Sequence, residues 1–365
     1  MKTYSPNLHR TWFDKLHDRF FYSNAATGIT IVAGFFFAVL AVVLFRWGVT
    51  DAVFRADSEA CYAASGACWG FVTEKWRLIL FGRYSYDEQW RPALATLMIV
   101  VMLVITAWPS MWRKPYSRWL LVGWVCAFVF FFTLMAGGLF GLRPIDSDNW
   151  GGLPLTVILT LLGMSVSVPI GILLALGRRS EMPLIRLLST GYIEVVRGVP
   201  LITVLFVASF VFPLLLPSGV RIDPFWRVAW GIILFQAAYM AETVRGGLQT
   251  IPKGQFFAAD SLGLKRWQVY LWVILPQALV AVIPAFVNSL LSTFMDTSLV
   301  TVVSMFDLTG SLQLALGDAQ WRDFFREGYI FIAAIYFVSS FIMSRYSQWL
   351  ERRLQGNKRN NALNF

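Results

Sequence analysis

Charged side chains are scarce in this chain of 365 residues. Asp, Glu, Lys and Arg make up only 14% of it, whereas 57% of its residues are hydrophobic and 16% are aromatic. A soluble domain usually carries about a quarter charged residues, because its surface lies in water. The composition therefore disfavours a soluble enzyme and a disordered chain, and it predicts a protein that lies mostly in lipid.

The residue types and motifs of common catalytic sites are also lacking. The two histidines, His9 and His17, are eight residues apart, so they do not form a metal-binding pair at the i, i+4 spacing of a helix. No G-x-x-x-x-G-K-S/T phosphate-binding loop occurs. We therefore predict no catalytic residue, no metal site and no cofactor in this chain.

Long apolar segments separate the few charges. Seven charge-free runs contain at least 17 residues each, at 28–45, 92–112, 119–142, 149–177, 198–220, 267–295 and 328–344. An eighth run, 228–241, is long enough to span only if the polar residues 242–245 extend the same helix. Because backbone amides in lipid must be satisfied within each segment, we predict an all-α polytopic membrane protein with eight transmembrane helices.

Lys and Arg are divided unevenly between the two sides of these predicted spans. Twenty fall on the side that holds both termini, and 11 fall on the opposite side. Basic residues accumulate on the cytoplasmic side of a membrane protein. We therefore place both termini in the cytoplasm, and the net charge of +10 reflects this topology rather than a surface for nucleic acid.

Two of the three cysteines, Cys61 and Cys68, lie in the long loop between the first two predicted spans. The charge distribution places this loop outside the cytoplasm. In an oxidising periplasm the two residues can form a disulfide, and the alternative is two unpaired thiols.

Two pairs of opposite charges stand three residues apart at the ends of predicted spans. Glu194 and Arg197 precede the fifth span, and Glu242 and Arg245 follow the sixth. Residues at i, i+3 share a helix face, so each pair can neutralise itself locally. The pairs are either structural ion pairs at the cytoplasmic interface or parts of a gate, since ionisable groups near a bilayer usually face a cavity or the bundle interior.

Glycine and proline interrupt two apolar segments, at Pro169 with Gly171 and at Gly198 with Pro200. Such residues break helices beside a translocation path, or they allow two helices to pack closely. The sequence leaves both readings open at each position.

The cytoplasmic segment after the sixth span predicts a short helix at 255–262, with Gly263 in a position suited to end it. This helix would expose Phe256, Phe257 and Leu262. Exposed aromatic and aliphatic side chains need burial, either in the protein's own core or against a soluble partner.

The same segment resembles the EAA loop of the membrane subunits of ATP-binding-cassette (ABC) importers. Phe257-Ala258-Ala259 is followed at the family's spacing by Gly263 and by Val273-Ile274-Leu275-Pro276. Phe257 replaces the family's glutamate, and Val273 replaces its isoleucine. The resemblance implies an ATPase-coupling loop that includes Gly254, Gln255, Phe256, Phe257, Ala258, Ala259, Ser261, Leu262 and Gly263.

Flanking motifs resemble the polar amino acid branch of these permeases. They include 194–201, 238–247 and 296–300, and the likeness covers about 150–350. It implies that the last five spans form a type I ABC importer permease core at 149–350. Residues 1–148 would then be an extension with three spans and a periplasmic loop, similar to the M subunits of general L-amino-acid ABC transporters, and 351–365 a cytoplasmic tail.

The resemblance further implies a bacterial inner-membrane protein and its partners. These are a second permease subunit in a heterodimeric membrane core, a cytoplasmic ATPase dimer that holds ATP and Mg, and a periplasmic amino-acid-binding protein. L-amino acids would be the cargo. Candidate gate or pathway residues are Glu194, Arg197, Glu242, Arg245, Asn288 and Asp296.

A secondary amino acid transporter driven by an ion gradient is the alternative. Such a protein usually carries acidic residues deep within its spans. In this chain the acidic residues lie at the ends of the predicted spans, which favours the ABC importer.

Overall fold

The computed structural model describes residues 19–112, 116–217 and 219–362, and it describes side chains up to residue 353. His9, His17 and the rest of 1–18 lie outside this part of the chain. The described residues are mostly helical, as predicted. The described residues up to 74 form one compact unit, and those from 75 onward form a second. The functional division proposed from the sequence, near residue 149, stays a prediction.

The first unit contains α1 (Asn24–Phe45), which continues as a π-helical turn at Arg46–Thr50, and the short helix α2 (Ser58–Ala63). No residue of α1 is buried. Cys61 and Cys68 form a disulfide, with their Cα atoms 5.3 Å apart. The indole N–H of Trp69 donates a hydrogen bond of 2.7 Å to the carbonyl oxygen of Gly48. The disulfide-closed loop is therefore attached to the carboxyl end of the first long helix.

The remaining α-helices of six residues or more follow in chain order, with short connections between most of them. They are α3 (Gly70–Phe81), α4 (Trp90–Ala107), α5 (Tyr116–Ala136), α6 (Gly152–Arg178), α7 (Pro183–Gly198), α8 (Leu201–Phe206), α9 (Pro224–Gln249), α10 (Lys253–Ser261), α11 (Leu275–Asp296), α12 (Leu308–Leu316) and α13 (Phe325–Ala362). A two-residue strand, Phe306–Asp307, bridges to Gly151 and Gly152.

Six helical segments of the described chain are long and apolar enough to cross a membrane: Asn24–Thr50, Tyr86–Ala107, Tyr116–Ala136, Gly152–Arg178, Arg266–Val303 and Arg322–Arg353. The bent pair α7 and Leu201–Leu214 makes a seventh if it counts as one span. Helix α9, which corresponds to the sixth predicted span, has 26 residues. Its carboxyl-terminal part contains the polar residues 242–245. The helical membrane fold is confirmed, and the predicted number of eight spans is compatible with it.

The two predicted interruptions behave differently. Helix α7 ends before Pro200, and its axis differs by 106° from that of the segment that follows. By contrast, α6 continues through Pro169 and Gly171. A Cβ atom on Gly171 would lie only 2.5 Å from the Cβ of Met240, so this glycine allows α6 and α9 to approach closely. The first interruption is a helix break, and the second is a packing contact.

The second unit has a core centred on α6 and α9, each of which buries more residues than any other described helix. Helices α4 and α5 join this core through residues such as Ile99 and Phe131. Arg91, which is completely buried, donates to the carbonyl oxygens of Leu134 (2.7 Å) and Arg143 (2.9 Å). The first bond satisfies a carbonyl in the last turn of α5, which the Tyr84 hydroxyl also contacts at 3.3 Å, and the second holds the loop after α5 to α4.

Candidate functional site

The bend between α7 and α8 opens a cavity of about 690 Å³ in the second unit. Its walls come from the bend itself, from α9 and from the carboxyl half of α11 with the turn that follows. The lining residues are Arg197, Gly198, Val199, Pro200, Leu201, Phe235, Gln236, Tyr239, Asn288, Ser289, Ser292, Asp296 and Leu299. A cavity of this volume is large enough for a small polar molecule.

Three of the residues predicted for a pathway, Arg197, Asn288 and Asp296, line this one cavity. Spacing in the sequence did not show that they would meet, because Arg197 is at least 91 positions from Asn288 and Asp296. The bend in α7 and the packing of α9 against α11 bring them together. The cavity thus presents a guanidinium, a carboxylate and an amide to the same space.

Gln236 is a cavity residue that the sequence reading missed. Its side chain is only 5% exposed, yet it lines the cavity. A buried amide usually has a hydrogen-bonding purpose. The signal was available in the sequence, since Gln236 is the only amide side chain in the apolar run 228–241.

Beside the cavity, Glu242 is shared by three arginines. Its carboxylate lies 2.6 Å from Arg178, 2.7 Å from Arg245 and 3.5 Å from Arg197. The predicted pair of Glu242 with Arg245 is confirmed. The other predicted pair is wrong, because Glu194 lies 3.2 Å from Arg178 and forms no ion pair with Arg197 in the described structure.

We call these five residues the arginine–glutamate cluster. It ties together the last turn of α6, the carboxyl half of α7 and the last third of α9. Arg178 could not be identified from the sequence, because only the packing of α6 on α7 and α9 places it there. Arg197 belongs both to the cluster and to the cavity, and its guanidinium also lies 5.6 Å from the centre of the Tyr239 ring.

The coupling segment folds as a short helix, as predicted. Helix α10 is followed by Gly263 with φ = +72°, a left-handed conformation that favours glycine. The backbone N–H of Gly263 donates to the carbonyl oxygen of Asp260 at 2.9 Å and so helps to close the helix end. The sequence signal was strong here because the helix end depends on a single residue type.

Side chains of this segment divide into an exposed face and an anchored face. Phe257 is 67% exposed and Leu262 is 79% exposed, as expected. The expectation for Phe256 is wrong, since its ring packs edge-on against Tyr270 with the ring centres 6.1 Å apart. Ala259 is buried beneath the helix. The other residues of the predicted loop are exposed, namely Gly254, Gln255, Ala258, Ser261 and Gly263.

Two further aromatic side chains are exposed shortly after the predicted loop. Trp267 is 54% exposed and Trp272 is 59% exposed, and their rings meet edge-on at 5.5 Å. We call Phe257 and Leu262, the exposed apolar residues of the coupling segment, the coupling face. Exposed aromatic clusters of this kind mark sites of contact with another molecule.

Residues 167–356 match the family model described as "Binding-protein-dependent transport system inner membrane component". This stretch contains the cavity, the arginine–glutamate cluster and the coupling face.

Curated relatives match over a larger part of the chain. It is 45% identical over 312 residues to "Inner membrane amino-acid ABC transporter permease protein YhdY" of Escherichia coli strain K12, which covers 85% of this chain and 84% of that protein. It is 37% identical over 350 residues to "Glutamate/glutamine/aspartate/asparagine transport system permease protein BztC" of Rhodobacter capsulatus, with 81% of each chain covered.

A solved structure, "Crystal structure of an amino acid ABC transporter with histidines", is similar in fold, with a TM-score of 0.50 and 33% sequence identity. The match covers 55% of this chain and 92% of that one.

Proposed function

Because the chain belongs to the family of binding-protein-dependent transport system inner membrane components, we propose that it is the permease subunit through which L-amino acids cross the bacterial inner membrane. The observation that carries this proposal is the cavity at the bend of α7, which holds opposite charges on Arg197 and Asp296. The two relatives are both amino acid permeases, which supports the choice of cargo.

A free amino acid carries a carboxylate and an ammonium group, and both lose water when it enters a protein. In the cavity, Arg197 can pair with the carboxylate and Asp296 with the ammonium. Gln236, Asn288 and Ser292 offer neutral donors and acceptors that suit many polar side chains. Such a lining accepts a class of substrates rather than one amino acid.

Energy for transport enters from a partner in this proposal, since the chain has no phosphate-binding loop. A cytoplasmic ATPase dimer that binds ATP and Mg would cover the coupling face. Phe257 stands where related permeases carry glutamate, so this contact relies on apolar burial. A fully buried Phe contributes on the order of 1.5 to 3 kcal/mol.

The remaining partners follow from the family. A second permease subunit completes the membrane core, and a periplasmic binding protein delivers the amino acid. Both termini of this chain then lie in the cytoplasm, in agreement with the distribution of Lys and Arg.

Transport in proteoliposomes tests the proposal against the ion-driven alternative. The purified complex of this chain, its partner permease and the ATPase is reconstituted, and radiolabelled L-glutamine is added with the binding protein outside. We expect uptake that requires ATP inside and persists without any ion gradient. Uptake by this chain alone under a proton or sodium gradient, without ATP, would overturn the proposal.

A further inference from the structure

Arg197 is the only residue of the arginine–glutamate cluster that also lines the cavity. Its guanidinium lies 3.5 Å from Glu242, and its side chain is 40% exposed. The other two arginines on Glu242 are closer, at 2.6 Å for Arg178 and 2.7 Å for Arg245. Arg197 is therefore the most weakly held of the three, and it is the one that an entering molecule can reach.

The charges of the cluster do not balance. Three arginines face two glutamates in the ion pairs of the described structure. One of the three positive charges is thus without a carboxylate of its own. An additional anion at this position would be favourable, because Glu242 would keep two close arginines after it lost the third.

We propose that the carboxylate of the transported amino acid replaces Glu242 as the counter-ion of Arg197, and that this exchange releases α7 from α9. The proposal rests on the function proposed above and deepens it. It assigns to Arg197 the recognition of the carboxylate, and to Glu242 the role of an internal anion that holds the same arginine while the cavity contains no substrate.

The position of Arg197 in α7 connects this exchange to movement. It lies one residue before Gly198 and three before Pro200, where the chain turns by 106°. A Cβ atom on Gly198 would meet no other atom within 4 Å, so there is open space beside the bend. With the contact to Glu242 broken, the end of α7 is held to α9 by one ion pair fewer and can shift at its hinge.

A binding assay on the membrane complex separates the contribution of the carboxylate to affinity from that of the rest of the substrate. The complex of both permeases and the ATPase is used without the binding protein, because that protein would itself recognise the carboxylate. The probes are L-glutamine and 4-aminobutanamide, the amine that glutamine becomes when its carboxylate is removed. We expect the native complex to prefer L-glutamine, and Arg197→Gln to reduce that preference by at least about fivefold. Arg197→Lys should retain part of it.

Glu242→Gln tests the internal anion. This variant should bind L-glutamine more tightly, and its ATPase activity without substrate should rise by about fivefold or more, because Arg197 is no longer held. Glu74→Gln is the comparison, since Glu74 is an exposed residue of α3 outside the cluster and forms no ion pair in the described structure. Its ATPase should keep its dependence on L-glutamine. Co-purification with the ATPase confirms that each variant assembles.

Two results would overturn the exchange. One is an unchanged ratio of the two dissociation constants in Arg197→Gln, and the other is a Glu242→Gln complex that behaves like Glu74→Gln. If either occurs while the native complex still takes up L-glutamine with ATP, the proposed function stands and only the exchange fails. If the native complex shows no ATP-driven uptake, the proposed function itself fails.

Discussion

The Nη1 atom of Arg178 lies 2.6 Å from Oε1 of Glu242, although the two residues are 64 positions apart in the sequence. This bond joins the end of α6 to α9 at the level where α7 also contributes Glu194. The same two helices approach closely at Gly171, where a Cβ atom would lie 3.0 Å from the backbone nitrogen of Ala241. A packing contact and an ion pair therefore fix one helix crossing next to the cavity.

Arg178→Gln should destabilise this crossing. The substitution removes the closest partner of Glu242 and the partner of Glu194, and both Arg178 (28%) and Glu242 (15%) are well shielded. We expect a loss on the order of 1 to 2 kcal/mol, seen as a lower melting temperature of the purified complex.

Arg179→Gln is the control for this prediction. Arg179 is the next residue, but its side chain forms no ion pair in the described part of the chain. The Arg179→Gln substitution removes one positive charge at the same end of α6. Equal melting temperatures for the two variants would show that net charge, rather than the contact with Glu242, sets the stability.

Phe257→Ala should weaken association with the ATPase without unfolding the permease. Phe257 is 67% exposed, so its removal costs the permease little on its own. Loss of an apolar contact on the order of 1.5 to 3 kcal/mol corresponds to an increase in the dissociation constant of about tenfold or more. The measurement is the affinity of the solubilised permeases for the purified ATPase.

Phe256→Ala is the neighbouring variant with the opposite expectation. Its ring packs on Tyr270 inside the permease, so its loss should lower the melting temperature of the permease itself. If Phe257→Ala left both ATPase affinity and uptake unchanged, apolar docking at this position would be wrong.

The sequence predicted the helices well because lipid allows few alternatives. A run of about 20 residues without charge has to satisfy its backbone internally, and this constraint acts on each segment alone. The end of α10 was predictable for a similar local reason, since Gly263 adopts a left-handed conformation that other residues rarely adopt.

The candidate site depended on contacts that no local pattern contains. The i, i+3 spacing of Glu194 and Arg197 predicted an ion pair between them. In the structure Glu194 pairs with Arg178 of α6 instead, whereas Arg197 pairs with Glu242 and lines the cavity. Phe256 is a second example: the local sequence predicts an exposed ring, but Tyr270 packs against it in the fold. A spacing rule gives the possible partners, and tertiary packing selects among them.

Cys61→Ser should loosen the loop that follows α1. The disulfide closes a ring of eight residues, and its removal returns conformational freedom to the unfolded loop worth about 2.5 kcal/mol in the chain-entropy description. The bond from Trp69 to the Gly48 carbonyl is then no longer supported by a closed ring. We expect faster proteolysis of the loop in spheroplasts, measured by the release of fragments.

The same variant tests the orientation of the protein. Cys68, left unpaired by Cys61→Ser, should react with a membrane-impermeant thiol reagent added outside the inner membrane. Cys126, a free thiol in α5, is replaced by Ser in both proteins, and the protein with its disulfide intact should then react only after reduction. Labelling of Cys68 exclusively from the cytoplasmic side would contradict the predicted periplasmic loop.

An acid-sensitive ion pair connects α3 to the segment after α12. The ammonium group of Lys75 lies 2.8 Å from Oδ2 of Asp318, and this hydrogen bond lowers the pKa of the Asp318 carboxyl from its ordinary 3.8. Because the folded pKa is the lower one, the stabilisation is fully present above pH 3.8 and is lost as the pH falls through the folded value.

Asp318→Asn should therefore melt at a lower temperature than the native protein at pH 7. The difference should hold down to about pH 5 and shrink toward pH 3. Asp87→Asn, which removes an exposed carboxylate that has no ion pair in the described structure, should show no such difference. A gap between Asp318→Asn and the native protein that stayed constant to pH 3 would mean that the side-chain amide, rather than the lost ion pair, causes the destabilisation.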